Sequence, residues 1–322
     1  MKDAIGRNID YLRISVTDRC NFRCLYCMPE EGIETKAHCD ILSLEEILEF
    51  VKAVVPLGIS KIRVTGGEPL VRKGIVKFIN DVNSIEGVQD IAMTTNGSLL
   101  SGMVGQLKEA GLDRVNISLD SLKPDKFEMV TRRGKLDDVF KGIKSALDAN
   151  LVPMKINCVV VKGFNDDEIM DFVKLTYDQH LYVRFIELMP LGECGWGDGG
   201  FMAADEIKDR INKKLVPTNT TGAGPAKYYK IPGAKGAVGF ISAISNHFCA
   251  SCNRIRLTAD GKLKPCLESD IEIDIKNALR ENKGREELQR LFKEALAKKP
   301  TCHHMRPDID TNHRRKMWQI GG

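Results

Sequence analysis

Three cysteines fall within one short run, Cys20-Asn21-Phe22-Arg23-Cys24-Leu25-Tyr26-Cys27, just after the strand-like segment Tyr11-Leu12-Arg13-Ile14-Ser15-Val16. A structural zinc ion wants four protein ligands. Three thiolates at this spacing suit a [4Fe-4S] cluster better, with three irons held and one left open to bind something else. The bland alternative is that three of the ten cysteines lie together by chance and bind nothing. A second set, Cys249, Cys252 and Cys266, has the spacing C-x2-C-x13-C. It reads either as a zinc site completed by His247 or as a second open cluster. The adjoining Asn253-Arg254-Ile255-Arg256-Leu257 favours the cluster, because strand alternation puts both arginines on one face and guanidinium forks match phosphate geometry. A closed zinc site has no need of that pair. Between the two sets, Thr65-Gly66-Gly67-Glu68-Pro69 ends a strand with two glycines that let backbone approach a ligand closely.

These groups need a frame. Ser43-Leu44-Glu45-Glu46 is a capping box, followed by apolar residues at Ile47, Leu48, Val51, Val54 and Val55 on one helical face. Strand-like runs at 61–65, 90–94, 113–119, 153–161 and 182–188 alternate with helical runs near 74–83, 101–110, 136–149 and 166–179. Such alternation implies βαβ units and a parallel sheet with right-handed crossovers. Six strands fit an α/β fold of the open (β/α)6, partial TIM-barrel kind. After Met189-Pro190 the chain turns glycine-rich, and 218–227 reads as a Gly/Thr/Pro loop. We expect a core over residues 1–200 and a smaller α+β region over 201–322, with short strands near 228–231, 237–242 and 254–258 and a helix near 284–298. Arg314-Arg315-Lys316 reads as a solvated basic run.

Alternation also places charge. Arg13, Arg63 and Lys155 each sit between two apolar strand residues, so if the apolar pair faces outer helices the cation points into the barrel. Thr94 and Ser118 point inward by the same rule. Inward cations are costly unless an anion neutralises them.

With 322 residues, 43% hydrophobic and 29% charged, the composition is that of an ordinary globular protein, and the net charge of +4 is modest. No apolar run approaches the ~20 residues of a membrane span. No basic stretch followed by an apolar core opens the chain, so a cytoplasmic setting is expected, where clustered thiols signal metal or catalysis rather than disulfides.

C-x3-C-x2-C with an aromatic residue before its last cysteine, combined with Gly-Gly-Glu-Pro, resembles the radical S-adenosylmethionine (SAM) enzymes. The segment Cys249 to Arg256, the later Cys266 and the terminal Gly321-Gly322 resemble, within them, the GTP-cyclising family that opens molybdenum cofactor biosynthesis. The resemblance implies an open barrel and two [4Fe-4S] clusters. Cys20, Cys24 and Cys27 would hold the cluster that cleaves SAM to a 5′-deoxyadenosyl radical. Cys249, Cys252 and Cys266 would hold a second, whose open iron meets the purine of GTP. Tyr26, Gly66, Gly67, Glu68, Ser118 and Met189 match SAM positions. Arg13, Arg63, Thr94, Lys155, Arg184, Arg254, Ile255 (through its backbone) and Arg256 match GTP positions. Arg13, Arg254, Arg256, Gly321 and Gly322 match catalytic ones, the glycine tail reaching into the site. The radical would take the C3′ hydrogen of GTP, and C3′ would then join C8. GTP, an external flavodoxin- or ferredoxin-like electron donor, a downstream cyclic pyranopterin phosphate synthase of the MoaC type and a homodimer are the implied partners, without nucleic acid or membrane. Cys39, Cys158, Cys194 and Cys302 match no motif, and His303-His304 reads as a solvated turn. Two rivals remain. One is a two-cluster peptide maturase, which would carry more cysteines than the four after residue 200; the other is a zinc-stabilised anion-binding protein without catalysis.

Overall fold

The computed structural model describes residues 1–34, 36–191, 198–218, 224–306 and 315–321. Cys194, Arg314 and Gly322 lie outside them. The strands in chain order are β1 (Tyr11–Ser15), β2 (Lys61–Thr65), β3 (Asp90–Thr95), β4 (Arg114–Ser118), β5 (Met154–Val160), β6 (Leu181–Glu187), β7 (Val216–Pro217), β8 (Lys227–Lys230), β9 (Ala237–Ile241), β10 (Arg254–Leu257), β11 (Lys262–Lys264) and β12 (Ile273–Asp274). The α-helices are α1 (Leu44–Val54), α2 (Ile75–Asn83), α3 (Val104–Glu109), α4 (Pro124–Thr131), α5 (Leu136–Asp148), α6 (Ile169–Asp178), α7 (Ala204–Asp209), α8 (Lys276–Arg280), α9 (Gly284–Ala297) and α10 (Met317–Ile320).

The strands form one open sheet in the order β12-β11-β10-β1-β2-β3-β4-β5-β6-β9-β8-β7. From β10 through β9 every neighbouring pair is parallel, and the strands beyond them are antiparallel. The six expected strands and the five helices expected between them are all present, and the sheet curls into a partial barrel without closing. It also runs through both sequence regions, because β10 adds to β1 at one edge and β9 to β6 at the other.

Alternation sorts the two faces. Leu12, Ile14, Ile62, Val64, Ile91, Met93, Val115, Ile117, Ile156 and Val183 are buried in one apolar core with Ile47, Phe50, Val51 and Val54 of α1 and Phe78, Ile79 and Val82 of α2. The capping box forms as read: Ser43 Oγ accepts from Glu46 N at 3.1 Å and Glu46 Oε2 from Ser43 N at 2.7 Å. Helix α4 escaped the sequence reading. Phe127 and Val130 are its only buried apolar residues, too few to set a period, and its other signals are only Pro124 in the first turn and Asp125 beside it.

Two surface expectations are overturned. Arg315 is not solvated: its side chain is 12% exposed, and it forks onto Glu272 and also pairs with Asp260 at 3.0 Å. His303 is not in a solvated turn either, being only 5% exposed. Both side chains dock on elements far away in sequence, which no local pattern announces.

Candidate active site

Strand register sets up the charge. Arg13 of β1 is the Cα partner of Arg256 on β10 and of Arg63 on β2, so three guanidinium-bearing residues stand abreast on neighbouring strands, about 4.8 Å apart. Arg63 donates Nε–H to the Tyr11 hydroxyl, lies 5.4 Å from the centre of that ring and donates to Thr94 Oγ1 at 3.4 Å. Arg254 lies 5.0 Å above Phe248. Arg256 donates to the carbonyl of Gly321 at 2.8 Å. Burial and then repulsion from Arg256 and Arg63 push Arg13 well below the usual guanidinium range. Burial, with Arg254 next, brings Arg256 down to about 10. Lys155 comes down to about 7, through burial first and then the fields of Arg184, Arg114 and Arg63.

The cation row faces a cavity of about 320 Å³. Six cations (Arg13, Arg63, Arg184, Arg254, Arg256 and Lys299) line it, against one carboxylate, Asp120, among the described lining residues. All six motif cysteines line the same cavity, along with Tyr26, Gly66, Gly67, Thr94, Ser118 and Met189. Four residues expected at the site are not in the cavity lining. Lys155 shares the lumen face of β5 with the lining residues Asn157 and Val159 but is not in the lining. The Ile255 side chain is buried in the outer core. Glu68 is fully buried behind the Gly66-Gly67 loop, where it accepts from Leu70 N, Thr95 Oγ1 and Asn96 N at 3.0, 2.7 and 2.7 Å. Burial pushes its carboxyl up to about 7. Gly321 reaches the site through its carbonyl.

The two loop glycines are required sterically. A Cβ on Gly66 would lie 2.6 Å from Thr17 O, and one on Gly67 would lie 2.5 Å from Arg19 O. Gly321 adopts φ +80°, and a Cβ there would meet Thr65 Oγ1 at 2.5 Å.

The first cysteine triad is deeply placed. Burial pushes Cys20 up to about 11, Cys27 up to about 12 and Cys24 well above the ordinary thiol range. Buried thiols of this kind become thiolates once metal charge is supplied beside them. Tyr26 donates its hydroxyl to Asp120 Oδ2 at 2.5 Å, and Asp120 Oδ1 accepts from Val159 N at 2.8 Å, which fixes the ring beside the triad.

The second triad is held by buried cations. Lys299 donates to the carbonyls of Arg254 and Pro265, each at 2.7 Å, and reaches Cys252 Sγ at 3.7 Å. Arg7 donates to Cys249 O at 2.9 Å and to Pro300 O at 2.8 Å. Cys252 comes down to about 7, because Arg254 and Lys299 together outweigh its burial.

Metal geometry separates the two readings left open by sequence. A tetrahedral zinc ion bonded to sulfur at about 2.3 Å would hold its sulfurs roughly 3.8 Å apart. Neither cysteine triad brings its sulfurs within 4.8 Å of one another; among the described residues, only His247, Cys249 and His303 form a group that compact. Thiolates on separate irons of a cubane sit wider apart than thiolates on one zinc ion, so this spacing counts against a single zinc ion at either triad.

Sequence reasoning missed Tyr11, Asn96, Asp120, Lys299 and Trp318. Tyr11 and Asp120 were within reach of the alternation rule. Lys299 follows a charged helix and looks like a solvated end. Trp318 enters the cavity only because α10 folds back over it.

The open barrel, the C-x3-C-x2-C triad and the Gly-Gly loop define a radical SAM enzyme. A family model of the radical SAM superfamily matches residues 14–176, and one described as Molybdenum Cofactor Synthesis C matches 181–305. Relatives named GTP 3′,8-cyclase are 54% identical over 323 residues in Alkaliphilus oremlandii and 52% identical over 327 residues in Desulforamulus reducens, each aligned over 100% of both chains. The chain belongs to the GTP 3′,8-cyclase family of the radical SAM superfamily. Among solved structures, Streptococcus suis SuiB bound to S-adenosylmethionine is 15% identical with a TM-score of 0.57, over 84% of this chain and 64% of that one. A histidine-tagged form of anSMEcpe with bound AdoMet is 15% identical with a TM-score of 0.56, over 89% of this chain and 78% of that one. Both show likeness of fold. Neither the peptide maturase nor the zinc-stabilised binding protein is favoured.

Proposed function

We propose that this enzyme cyclises GTP to 3′,8-cyclo-7,8-dihydro-GTP, the opening step of molybdenum cofactor biosynthesis. One observation carries the reading: Arg256, Arg13 and Arg63 stand abreast on the wall of a cavity that both cysteine triads also line. A polyanion neutralising that row would share the cavity with both clusters. Cys20, Cys24 and Cys27 would hold the first cluster, and Cys249, Cys252 and Cys266 the second. When bound, the first cluster with SAM supplies a 5′-deoxyadenosyl radical.

The chain's own residues do the positioning. Arg13, Arg63 and Arg256 present forks to the triphosphate, with Thr94 holding Arg63 and the Gly321 carbonyl aiming Arg256. Arg254 and the backbone of Ile255 stand beside the second triad, where the base would sit. Lys155 and Arg184 add positive field from β5 and β6. Tyr26, Gly66, Gly67, Ser118 and Met189 would enclose SAM, with Glu68 bracing the loop from behind. Met28, Phe248, Met305, Met317 and Trp318 line the cavity with apolar surface that keeps water from a radical. Fixing one hydrogen of a highly charged substrate beside the radical source is worth up to roughly 7–11 kcal/mol. Anaerobic incubation with SAM, a strong reductant and GTP is expected to yield 5′-deoxyadenosine and a cyclic GTP product together. Cleavage of SAM with GTP returned unchanged would refute the reading.

We further propose residues 1–200 as the SAM-binding core and 201–322 as the substrate and second-cluster region, with Gly322 completing the tail. Radical generation consumes electrons, which supports an external flavodoxin- or ferredoxin-like donor. The cyclic product suits a downstream MoaC-type cyclic pyranopterin phosphate synthase, and a homodimer is the expected assembly. A cytoplasmic setting is supported by the nine described cysteines, all free thiols. No described helix is long and apolar enough to cross a membrane.

A further inference from the structure

Beside the second cysteine triad stands a ligand set that the cluster does not use. His247, Cys249 and His303 bring ligand atoms within 4.8 Å of one another. Cys302 adjoins them, its sulfur 3.2 Å from His247 Nδ1 and hydrogen-bonded to the Cys249 thiol. His303 is the telling member. It is 5% exposed, and neither ring nitrogen makes a well-formed hydrogen bond, with only a weak approach to the Ala243 backbone. Its ring packs against that of His247 with centroids 4.2 Å apart. Burying an imidazole without partners is costly, and a cation bound to its free nitrogen would offset that cost. Two imidazoles and two thiolates are a tetrahedral donor set for zinc. This set shares only Cys249 with the triad; three of its members have the compactness that the triad lacks, and Cys302 stands beside them through its contacts with His247 and Cys249.

We propose that His247, Cys249, Cys302 and His303 bind one Zn²⁺ or a similar divalent cation when the second cluster is absent, and that zinc and this cluster exclude each other through Cys249. Binding is ligand exchange without redox: the two thiols release their protons and form two Zn–S bonds, and the two neutral imidazoles form two Zn–N bonds. The exclusion rests on the cluster assignment above; the zinc site stands without it.

The full-length chain, purified anaerobically and stripped of iron with a chelator, is titrated with Co²⁺ and then Zn²⁺. The expected result is one tightly bound Co²⁺ with intense tetrahedral ligand-field bands and a thiolate charge-transfer band, displaced by Zn²⁺. Cys302→Ala, the near-isosteric Cys302→Ser and His303→Ala should each weaken binding at least tenfold, while the double variant Cys252→Ala/Cys266→Ala keeps the spectrum. Loss of the spectrum in that double variant, with none in the Cys302 and His303 variants, would place the ion on the triad and overturn the site. Absence of any tetrahedral Co²⁺ signal would overturn it too. For the exclusion, zinc-loaded protein given iron and sulfide should take up about four irons rather than about eight, and Cys302→Ala should restore the rest. Uptake of about eight irons with zinc retained would overturn the exclusion. The enzyme reading itself fails on a different readout, the absence of a GTP product from fully loaded protein.

Discussion

Arg256, Arg13 and Arg63, side by side with a single carboxylate in the cavity lining, are a standing electrostatic cost to the folded chain that a polyanion removes. Replacing Arg13 or Arg254 with Ala should lower cyclisation by roughly ten- to hundredfold, the worth of a charge-assisted hydrogen bond, while 5′-deoxyadenosine still forms. Quantifying both products in one reaction checks this, and an unchanged yield of cyclic product would remove these residues from their roles. Lys155 gives a pH test. Its folded value of about 7 lies below the 10.5 of a free lysine. The unfolded chain therefore binds more protons between those values, so the cost of the buried ammonium is full below pH 7 and is relieved as pH rises toward 10. A bound triphosphate favours the ammonium, so GTP binding at pH 8 should take up a proton, and affinity should fall as pH rises above about 7. Calorimetry in buffers of different ionisation enthalpy measures the uptake, and Lys155→Met should abolish it. The inward cations were legible because alternation on a strand is local. Lys299 and His303 were not, because their burial comes from contacts with segments remote in sequence.

At the scale of elements, the tail helix α10 shows how a terminus becomes part of a site. Arg315 ties the start of this segment to Glu272 and Asp260, and the far end places the Gly321 carbonyl on Arg256. Gly321 sits where a side chain would collide with Thr65 and Ser15, in a left-handed conformation that a non-glycine residue resists. Gly321→Ala should therefore displace the tail and depress cyclisation more than SAM cleavage. A mutant retaining the wild-type ratio of the two products would show that the tail carbonyl is dispensable. The pattern of strands and amphipathic helices announced nearly every element of the barrel, because each spans several turns or alternations. Helix α4 buries too few apolar residues for periodicity to register, and strands β7, β11 and β12 are too short for it. The tail's Gly-Gly carried meaning only through family resemblance, since nothing local distinguishes it from a frayed end.

For the whole molecule, composition and alternation pointed to an open parallel barrel, but the pairing of β10 with β1 and of β9 with β6 lay beyond reach. Those pairings join residues more than two hundred positions apart in one case, and local pattern carries no information about them. They make the C-terminal region part of the sheet. A chain ending at residue 200 would expose the edges of β1 and β6 and lose Arg254, Arg256 and the second triad. It should aggregate on expression; a soluble, monomeric fragment that binds SAM would contradict the dependence of the core on its edge strands. The same pairings bring two cysteine triads and the cation row to one cavity, and this is the central claim. It is tested most directly with GTP carrying deuterium at C3′, incubated anaerobically with SAM and reductant. The expected result is deuterium in the 5′-deoxyadenosine, matched by an equal amount of cyclic product. Deuterium-free 5′-deoxyadenosine formed at the same rate with or without GTP would contradict it.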